Sequence, residues 1–392
     1  MKKTIHLLIF AKHIDGGTGT FVLQLTKLVS SSKGKIKISI LALEKPQFRT
    51  IKMKGVTIRY FSTKSMLPYY YVLNPKALIH IFKELLWLKI EVKKTNPDVI
   101  LAVDNHCNVL VCFLKLLMPK LTNVKLILTI HNNISAVTFS KLSLVSRAMF
   151  KVTCRFLFRQ ATKIVAVSNG VANDVQSFFE LKNKPDVIYY GVNYSNIQKL
   201  AREPLEPKDG RIFKSKRLKV LSIGRFAQQK NFTTLIEAFA DQRLKHINAR
   251  LFLIGDGPDK TKLVTTVKKF DLENRVHFLG WKQNVYPYIK AADVFVLSSH
   301  YEGFPFVLLE ALALKRPVVS TDSPYGPSEL LENGKYGTLI PVGDSQSLAN
   351  LLSNLFSNLL LYKHWEHLSK LRGEKFSEKL MLSKYFHLIW KI

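Results

Sequence analysis

Two glutamates with seven residues between them, Glu302 and Glu310, lie in the segment SSHYEGFPFVLLE at 298–310. An apolar run at 291–297 precedes this segment, so the pattern predicts a buried strand, a glycine-bearing loop and a helix. Ligands of α/β folds bind at such junctions. The start of the helix offers free backbone N–H groups to an anion, and a carboxylate further along can hold sugar hydroxyls. A carboxylate pair also suits general acid–base catalysis.

A cationic pair, Arg225 and Lys230, stands in the segment GRFAQQKN at 224–231. The pair follows a predicted buried strand and leads into a helix, where both charges can neutralise a diphosphate. The alternative is two ordinary surface cations on a loop. The position after a buried strand favours the diphosphate site, and it turns the interpretation of the two glutamates from acid–base catalysis towards ligand holding.

The first half of the chain offers two further candidates. His131 follows the apolar strand 125–130, and we expect its side chain to point into a crevice rather than into the core; a capping or loop histidine is equally compatible with this position. Gly17 lies in KHIDGGTGT, predicted as a loop between a strand at 5–10 and a helix from 21 onwards. It would let the backbone approach a ligand closely, although a simple tight turn also fits.

Strands and helices alternate along both halves, which predicts an α/β fold with two Rossmann-like domains. In the first half we expect strands at 36–43, 56–61, 98–103, 125–130 and 163–167, and helices at 75–94, 109–120 and 146–160. The predicted domains are 1–196, a polar and proline-bearing linker at 197–217, and 218–374. The apolar C-terminal segment 375–392 is expected to return to the first domain as a helix.

The chain has 392 residues and a net charge of +31. Residues 1–197 hold 29 Lys and Arg against 9 Asp and Glu, a net of +20, whereas the remainder has a net of +11. Such a surplus predicts an anionic partner. The three cysteines lack metal-ligand spacing and suit a reducing compartment. No apolar run is long enough to predict a membrane-spanning helix, and we interpret the N-terminal apolar stretch as a strand.

The predicted helix at 146–160 carries a basic stripe, because Arg147, Lys151, Arg155 and Arg159 recur every four residues beside apolar side chains. This pattern favours docking on anionic lipid without insertion. A solvated helix face is the better explanation for one helix alone. Together with the net charge of this half, the stripe favours peripheral membrane binding as the hypothesis.

Several motifs resemble, in order and spacing, the family 4 retaining glycosyltransferases. They are GG at 16–17, HN at 131–132, VSNG at 167–170, GVN at 191–193, GRFAQQKN at 224–231, GDGP at 255–258, EGFPFVLLE at 302–310 and YGPSELLENGKYGTLIPVGD at 325–344. The resemblance covers nearly the whole chain. It implies the GT-B architecture, in which the two Rossmann-like domains face each other across a cleft. The first domain would bind the acceptor and the second the nucleotide sugar.

The resemblance also implies roles for the donor site. Arg225 and Lys230 match the pair that binds the diphosphate, and Glu310 matches the glutamate that holds the ribose. A loop over sugar and phosphate corresponds to Gly303, Phe304 and Pro305.

The remaining roles concern the sugar and the phosphate. Glu302 matches the residue placed near the donor sugar, His131 the one near its 6-position, and Gly17 the loop that touches the phosphate. The catalytic set is therefore predicted to be Glu302, His131, Arg225 and Lys230. The leaving group would be stabilised electrostatically, with no metal and no cofactor beyond the UDP-sugar co-substrate.

The function expected from this resemblance is transfer of a hexose from a UDP-sugar to a glycan on polyprenyl diphosphate, in capsule, O-antigen or similar surface polysaccharide synthesis. The enzyme would act at the cytoplasmic face of the cell membrane as a peripheral protein. One alternative is a nucleotide-sugar epimerase or phosphorylase of the same architecture. Another is a basic nucleic-acid-binding protein, but no nucleic acid partner is expected because we find no recognised binding module.

Overall fold

The chain forms two compact units in a computed structural model that describes residues 4–32, 34–46, 55–61, 75–139, 142–214 and 217–392. Unit 1 comprises residues 1–190 together with 378–392, and unit 2 comprises residues 191–377. The chain therefore leaves unit 1 after Tyr190 and returns to it at Glu378. The predicted domain limits at 196 and 375 differ from these by a few residues.

Unit 1 is built on a parallel sheet whose seven strands lie in the order β3-β2-β1-β4-β5-β6-β7. The strands are β1 (Ile5–Ala11), β2 (Ile36–Ala42), β3 (Val56–Tyr60), β4 (Val99–Val103), β5 (Lys125–Ile130), β6 (Lys163–Ala166) and β7 (Asp186–Val187). The central strand β4 is buried along its whole length, as expected of a parallel strand covered on both faces. The order reverses direction between β1 and β4.

The helices of unit 1 connect these strands. They are α1 (Gly16–Leu25), α2 (Leu28–Ser31), α3 (Pro75–Thr95), α4 (Asn105–Leu117), α5 (Ile134–Phe139), α6 (Leu144–Leu157), α7 (Asn169–Phe179) and, at the C-terminus, α18 (Glu378–Lys391). Helix α18 packs beside α1, where Tyr385 lies 5.4 Å from Phe21 between ring centroids. Lys27 Nζ binds Glu378 Oε1 at 2.6 Å.

The glycine-rich segment after β1 differs from the expectation. It was predicted as a loop up to residue 20, but helix α1 begins at Gly16 and includes Gly17. Gly19 explains the difference, because a Cβ atom there would lie 2.2 Å from the carbonyl carbon of Ile14. Without side chains in the way, the segment winds directly into the first turns of the helix.

Unit 2 contains a six-stranded parallel sheet in the order β10-β9-β8-β11-β12-β13. Its strands are β8 (Lys219–Ile223), β9 (Arg250–Ile254), β10 (Val276–Gly280), β11 (Val294–Leu297), β12 (Val318–Thr321) and β13 (Thr338–Ile340). This order reverses between β8 and β11. The sheets of both units confirm the predicted fold class, α/β with two Rossmann-like domains.

The helices of unit 2 cover both faces of this sheet. They are α8 (Tyr194–Leu200), α9 (Pro207–Phe213), α10 (Phe232–Phe239), α11 (Gln242–His246), α12 (Lys260–Lys269), α13 (Tyr286–Ala291), α14 (Phe306–Ala313), α15 (Gly326–Leu330), α16 (Ser345–Ser357) and α17 (Leu359–Glu374). Short 3₁₀ turns occupy Pro119–Leu121, Phe158–Gln160 and Gln228–Lys230.

The stretch predicted as a linker, 197–217, has a different structure where it is described. It contains most of α8 and all of α9, and it belongs to unit 2. Asp209 of α9 is buried, with Lys282 Nζ at 2.6 Å and the Tyr288 hydroxyl donating a hydrogen bond at 2.8 Å. The charges that suggested a solvated linker are therefore partly neutralised within the unit.

None of the helices in the described ranges is long and apolar enough to cross a membrane.

Candidate functional site

The reversal of strand order in unit 2 brings together two of the predicted site residues. Lys230 follows β8 and Glu302 follows β11, and these strands are neighbours in the sheet although they are far apart in the chain. Lys230 Nζ lies 2.6 Å from Glu302 Oε1. Ligands of open α/β sheets bind at the carboxyl ends of the strands where the order reverses. The pair thus spans the position at which this fold binds ligands.

The carboxylate of Glu302 is held from several sides. The hydroxyl of Ser299 donates to its Oε1 atom at 2.6 Å, and only 6% of the residue is exposed. Its backbone is also fixed, because Glu302 N donates to Pro324 O at 2.8 Å and Tyr325 N donates to Glu302 O at 3.0 Å. A carboxylate held in this way keeps the Lys230 ammonium group at a defined place.

Arg225 occupies the same loop as Lys230 but has a different environment. Its side chain is exposed, and it forms no ion pair within the described part of the chain. A guanidinium group that is not paired with a carboxylate of the protein can bind a phosphate with two parallel hydrogen bonds. The loop therefore combines one fixed cation, Lys230, with one exposed cation.

The GDGP motif supports this loop sterically. Gly255 has φ +142°, and a Cβ atom there would lie 1.9 Å from Gly224 O. A Cβ atom at Gly257 would lie 2.4 Å from Phe226 O. The two glycines let the loops after β8 and β9 pack against each other, so the motif acts by shape and carries no chemistry of its own.

The predicted sugar loop is Gly303, Phe304 and Pro305, and all three residues are buried. The ring of Phe304 lies 5.5 Å from that of Phe376, in the interior of unit 2. Helix α14 begins directly after Pro305, so this loop leads into a helix N-terminus, which favours an anion. A role in donor binding stays a prediction, and its chemistry is that of backbone N–H groups rather than of the Phe304 ring.

Glu310 lies on α14, one turn beyond these N–H groups, and is buried. The Tyr286 hydroxyl donates a hydrogen bond to its Oε1 atom at 2.8 Å. Burial raises the pKa of Glu310 to about 7, and the bond from Tyr286 opposes this rise. The carboxyl group is therefore close to a balance between its neutral and ionised forms at neutral pH.

Tyr286 and Ser299 were missed by sequence reasoning. Tyr286 lies on α13, 24 residues before Glu310, and nothing in its local pattern indicates the contact. Ser299 was part of the segment that drew attention, but serine after a strand is common as a helix cap or turn residue. Only the folded chain shows that its hydroxyl binds Glu302.

In unit 1, the structure places His131 differently from the expectation. Its side chain was expected to point into a crevice rather than into the core, but only 6% of the residue is exposed. Its Nε2 atom lies 2.7 Å from Thr129 Oγ1 and its Nδ1 atom 2.5 Å from the Tyr190 hydroxyl. Burial lowers the pKa of His131 to about 3, so the ring is neutral. Its catalytic role stays a prediction. To contact a sugar, the His131 ring would have to replace its bond to Thr129 or Tyr190 with a bond to the substrate.

Gly17 is the second residue of α1 and is exposed. The helix leaves its first backbone N–H groups without helical partners, so a contact between Gly17 and a phosphate would be made by the main chain. That contact remains a prediction.

The reversal point of unit 1 lies between β1 and β4 and is organised by Asp104. This residue has φ +78° and caps α4, where its Oδ1 atom accepts from Cys107 N at 3.1 Å. Its Oδ2 atom accepts from Lys12 N at 3.1 Å. Both carboxylate oxygens are thus used by backbone groups.

The predicted membrane residues lie on α6 and just beyond it. Glu180 binds two of them, with Lys151 Nζ at 2.7 Å from Oε1 and Arg155 paired to Oε2. The Arg147 guanidinium donates to Leu142 O at 3.3 Å, whereas Arg159 is exposed. The stripe is therefore less positive than its sequence suggests, and membrane binding through it stays a prediction.

Within the described residues, no group of three or more His, Cys, Asp or Glu side chains is arranged to hold a metal ion. The three cysteines are free and buried. Burial raises the pKa of Cys112 to about 12, which keeps this thiol protonated and unreactive.

Comparison with known families divides the chain as the fold does. Residues 16–196 match the model described as Glycosyltransferase Family 4, and residues 206–371 match that described as Glycosyl transferases group 1. Together the two matches span most of the chain. The chain belongs to the family 4 glycosyltransferases.

Two curated relatives illustrate the likeness. The chain is 32% identical to the N-acetylgalactosamine-N,N'-diacetylbacillosaminyl-diphospho-undecaprenol 4-alpha-N-acetylgalactosaminyltransferase of Campylobacter jejuni, over 58% of this chain and 60% of that protein. It is 26% identical to the amylovoran biosynthesis glycosyltransferase AmsD of Erwinia amylovora, over 84% of this chain and 89% of that protein. The alignments span about three fifths of the length of the first relatives.

Among solved structures, the fold is similar to that of HepE of Anabaena in complex with UDP and glucose. The TM-score is 0.78 at 18% identity, and the match covers 99% of this chain and 100% of that chain. At this level of identity the likeness shows the fold alone, which is the GT-B architecture.

Proposed function

We propose that this family 4 glycosyltransferase transfers a hexose from a UDP-sugar to an acceptor hydroxyl with retention of configuration. The contact between Lys230 and Glu302 carries the proposal, because it places a fixed cation at the strand reversal of unit 2, next to the exposed Arg225. Two positive groups on one loop match the two phosphates of a nucleoside diphosphate. The UDP bound in the similar HepE structure favours the same donor class.

In the proposed reaction, the bond between the sugar C1 atom and the β-phosphate oxygen breaks, and its electron pair stays on the phosphate. A new bond forms between C1 and the acceptor oxygen on the same face of the ring, and the hydroxyl proton leaves with the departing phosphate. Lys230, Arg225 and the N–H groups at the start of α14 stabilise the negative charge that develops there, without a metal ion. Glu310 holds the ribose hydroxyls.

The acceptor is proposed to be a glycan on a polyprenyl diphosphate carrier, in the synthesis of a capsule, lipopolysaccharide or related surface polymer. The name of the Campylobacter relative includes diphospho-undecaprenol, and that of the Erwinia relative describes amylovoran biosynthesis. The enzyme would dock on the inner face of the cell membrane, where Arg147, Lys151, Arg155 and Arg159 can reach anionic headgroups.

A thermal-shift panel of UDP- and GDP-sugars tests the donor assignment, since a ligand that binds only the folded state raises the melting temperature. We expect a UDP-sugar to give the largest rise, and Arg225→Ala or Glu310→Ala to remove most of it. Lys268→Ala is a matched control, because Lys268 is exposed at the end of α12. A response to GDP-sugars alone, or an unchanged response in both site variants, would contradict the proposal.

A further inference from the structure

Three neighbouring helices of unit 1 expose an unusual amount of apolar surface. Of the twenty large apolar side chains that are exposed in the described part of the chain, thirteen lie on α3, α4 and α6. They are Leu78, Ile79, Phe82, Leu86, Ile90, Phe113, Leu116, Leu117, Leu144, Val145, Met149, Val152 and Phe156. Scattered apolar residues are normal on a protein surface, but a concentration of this kind marks an interaction site.

Helix α3 shows the pattern most clearly. Leu78, Phe82, Leu86 and Ile90 recur every four residues and form one outward stripe, in which Phe82 is 67% exposed. The opposite face of the same helix is buried, with Leu88 fully covered. The helix thus has two apolar faces, and packing within unit 1 accounts for only one of them.

The three helices lie on one side of the sheet. The connections from β3 to β4, from β4 to β5 and from β5 to β6 all advance in the same direction across the strand order. Right-handed crossovers in one direction place their helices on one face. Helix α4 packs against both α3 and α6, so their exposed stripes adjoin.

The charge around this surface is mainly positive. The carboxylates of Glu84 and Glu91, the two acidic residues of α3, are turned inward, and α4 and α6 contain no acidic residue. The exposed cations are Lys76, Lys83, Lys89, Lys93 and Lys94 on α3 and Arg155 on α6. Glu180 is an acidic residue beside α6, and its carboxylate binds Lys151 and Arg155. A second copy of the chain would bring like charges together here, whereas an anionic bilayer would neutralise them.

We propose that the outward faces of α3, α4 and α6 form one surface that inserts its apolar side chains into an anionic lipid bilayer. This inference deepens the proposed membrane docking, on which it rests, and replaces docking by the basic stripe alone. The apolar side chains enter the boundary between headgroups and acyl chains, and the lysines and arginines bind the phosphates above it.

Insertion can be measured with an environment-sensitive fluorophore on a single introduced cysteine. The native cysteines are buried, so labelling at Phe82→Cys or Met149→Cys would be selective under native conditions. Leu360→Cys on α17 is the matched control, since Leu360 is also apolar and 81% exposed but lies in unit 2. With vesicles of phosphatidylglycerol and phosphatidylcholine, we expect a blue shift at positions 82 and 149 and no shift at 360.

The second measurement is sedimentation with the same vesicles. Phe82→Ser combined with Leu86→Ser should weaken binding by about 10-fold or more, because membrane affinity scales with the apolar area that is buried. Leu359→Ser combined with Leu360→Ser is the control pair and should bind as the unchanged protein does. All four side chains are exposed, so the melting temperature should stay close to that of the unchanged protein in both variants.

Three outcomes would overturn the inference. Binding that is abolished by salt but indifferent to the apolar variants would leave charge-driven docking and remove insertion. No binding to either anionic or neutral vesicles would remove both the inference and the proposed docking, while leaving the donor assignment from the thermal-shift panel intact. Light scattering could also show a dimer that dissociates in the variant with both Phe82→Ser and Leu86→Ser. That result would assign the surface to a second copy of the chain.

Discussion

The two sheets reverse their strand order at contacts of opposite chemical character. In unit 1, Asp104 closes the reversal point, and its two oxygens accept from backbone N–H groups of Lys12 and Cys107. In unit 2, the corresponding point is spanned by an ion pair of side chains, Lys230 and Glu302. One unit therefore places a carboxylate there and the other adds an ammonium group, although both sheets follow the same right-handed scheme.

The difference lies in what remains available for a ligand. The Asp104 contacts hold the backbone in place, because both carboxylate oxygens accept from backbone N–H groups. Lys230 has three N–H donors, of which Glu302 uses one, so the ammonium can bind a phosphate without giving up its fixed position. This geometry suits the reversal point of unit 2 to an anion.

The largest expected effect comes from Lys230→Ala. This change removes a phosphate ligand and leaves the buried Glu302 carboxylate without its cation, so kcat/KM should fall about 100- to 1,000-fold. Steady-state kinetics with the donor found in the thermal-shift panel measures it, with Lys268→Ala as the control. A fall of less than about 3-fold would mean that the anion site lies elsewhere.

A smaller effect is expected from pH. In the proposed donor site, ribose hydroxyls would donate to the ionised form of Glu310, whose pKa burial raises to about 7. UDP affinity should therefore fall by up to about 10-fold for each pH unit below 7. The folded state binds more protons than the unfolded state between the ordinary value of 4.5 and about 7, so the contribution of Glu310 to stability should decrease as pH rises through this range. Calorimetric titration of UDP between pH 5.5 and 8.5 measures the affinity.

Two variants sharpen this prediction. Glu310→Gln should bind UDP more weakly and lose the pH dependence, because its amide does not titrate in this range. Tyr286→Phe should move the midpoint upward, since the hydrogen bond from Tyr286 lowers the pKa of Glu310. Tyr288→Phe on the same helix is the control, because that hydroxyl binds Asp209 instead. If Tyr286→Phe left the pH midpoint of UDP affinity unchanged, the titrating group would not be Glu310.

The smallest effect is expected at the reversal point of unit 1. Asp104→Ala removes the cap of α4 and the bond to Lys12 N, so the free energy of unfolding should fall by about 1–2 kcal/mol. UDP affinity should stay the same, whereas Asp104→Asn keeps an oxygen acceptor and should lose less stability. Urea unfolding and UDP titration measure the two quantities. A loss of UDP affinity in Asp104→Ala would mean that the reversal point of unit 1 also contributes to UDP binding.

The sequence predicted the strands and the fold class well because buried parallel strands are continuous apolar runs between turn residues. Strand β5 was predicted with its limits at Lys125 and Ile130. The helix start at Gly16 was missed, since it depends on the tight contact between Gly19 and Ile14 and not on a periodic pattern.

The site was predictable in its residue types but not in its contacts. Arg225, Lys230, Glu302 and Glu310 were predicted as site residues from their positions in segments that follow predicted strands. The pairing of Lys230 with Glu302 joins residues 72 apart in the chain, and the order of strands in the sheet brings them together. His131 was expected to point into a crevice, and a single strand pattern does not show that the Tyr190 hydroxyl lies 2.5 Å from its Nδ1 atom.

Because helix α18 belongs to unit 1, the two units are completed at different times during synthesis of the chain. Unit 2 is one continuous segment, so all of its residues are present before the chain returns to unit 1. Unit 1 lacks the partners of Phe21 and Lys27 until Tyr385 and Glu378 have left the ribosome. The part of the chain that is made first therefore gains these two contacts only after all of unit 2 has been made.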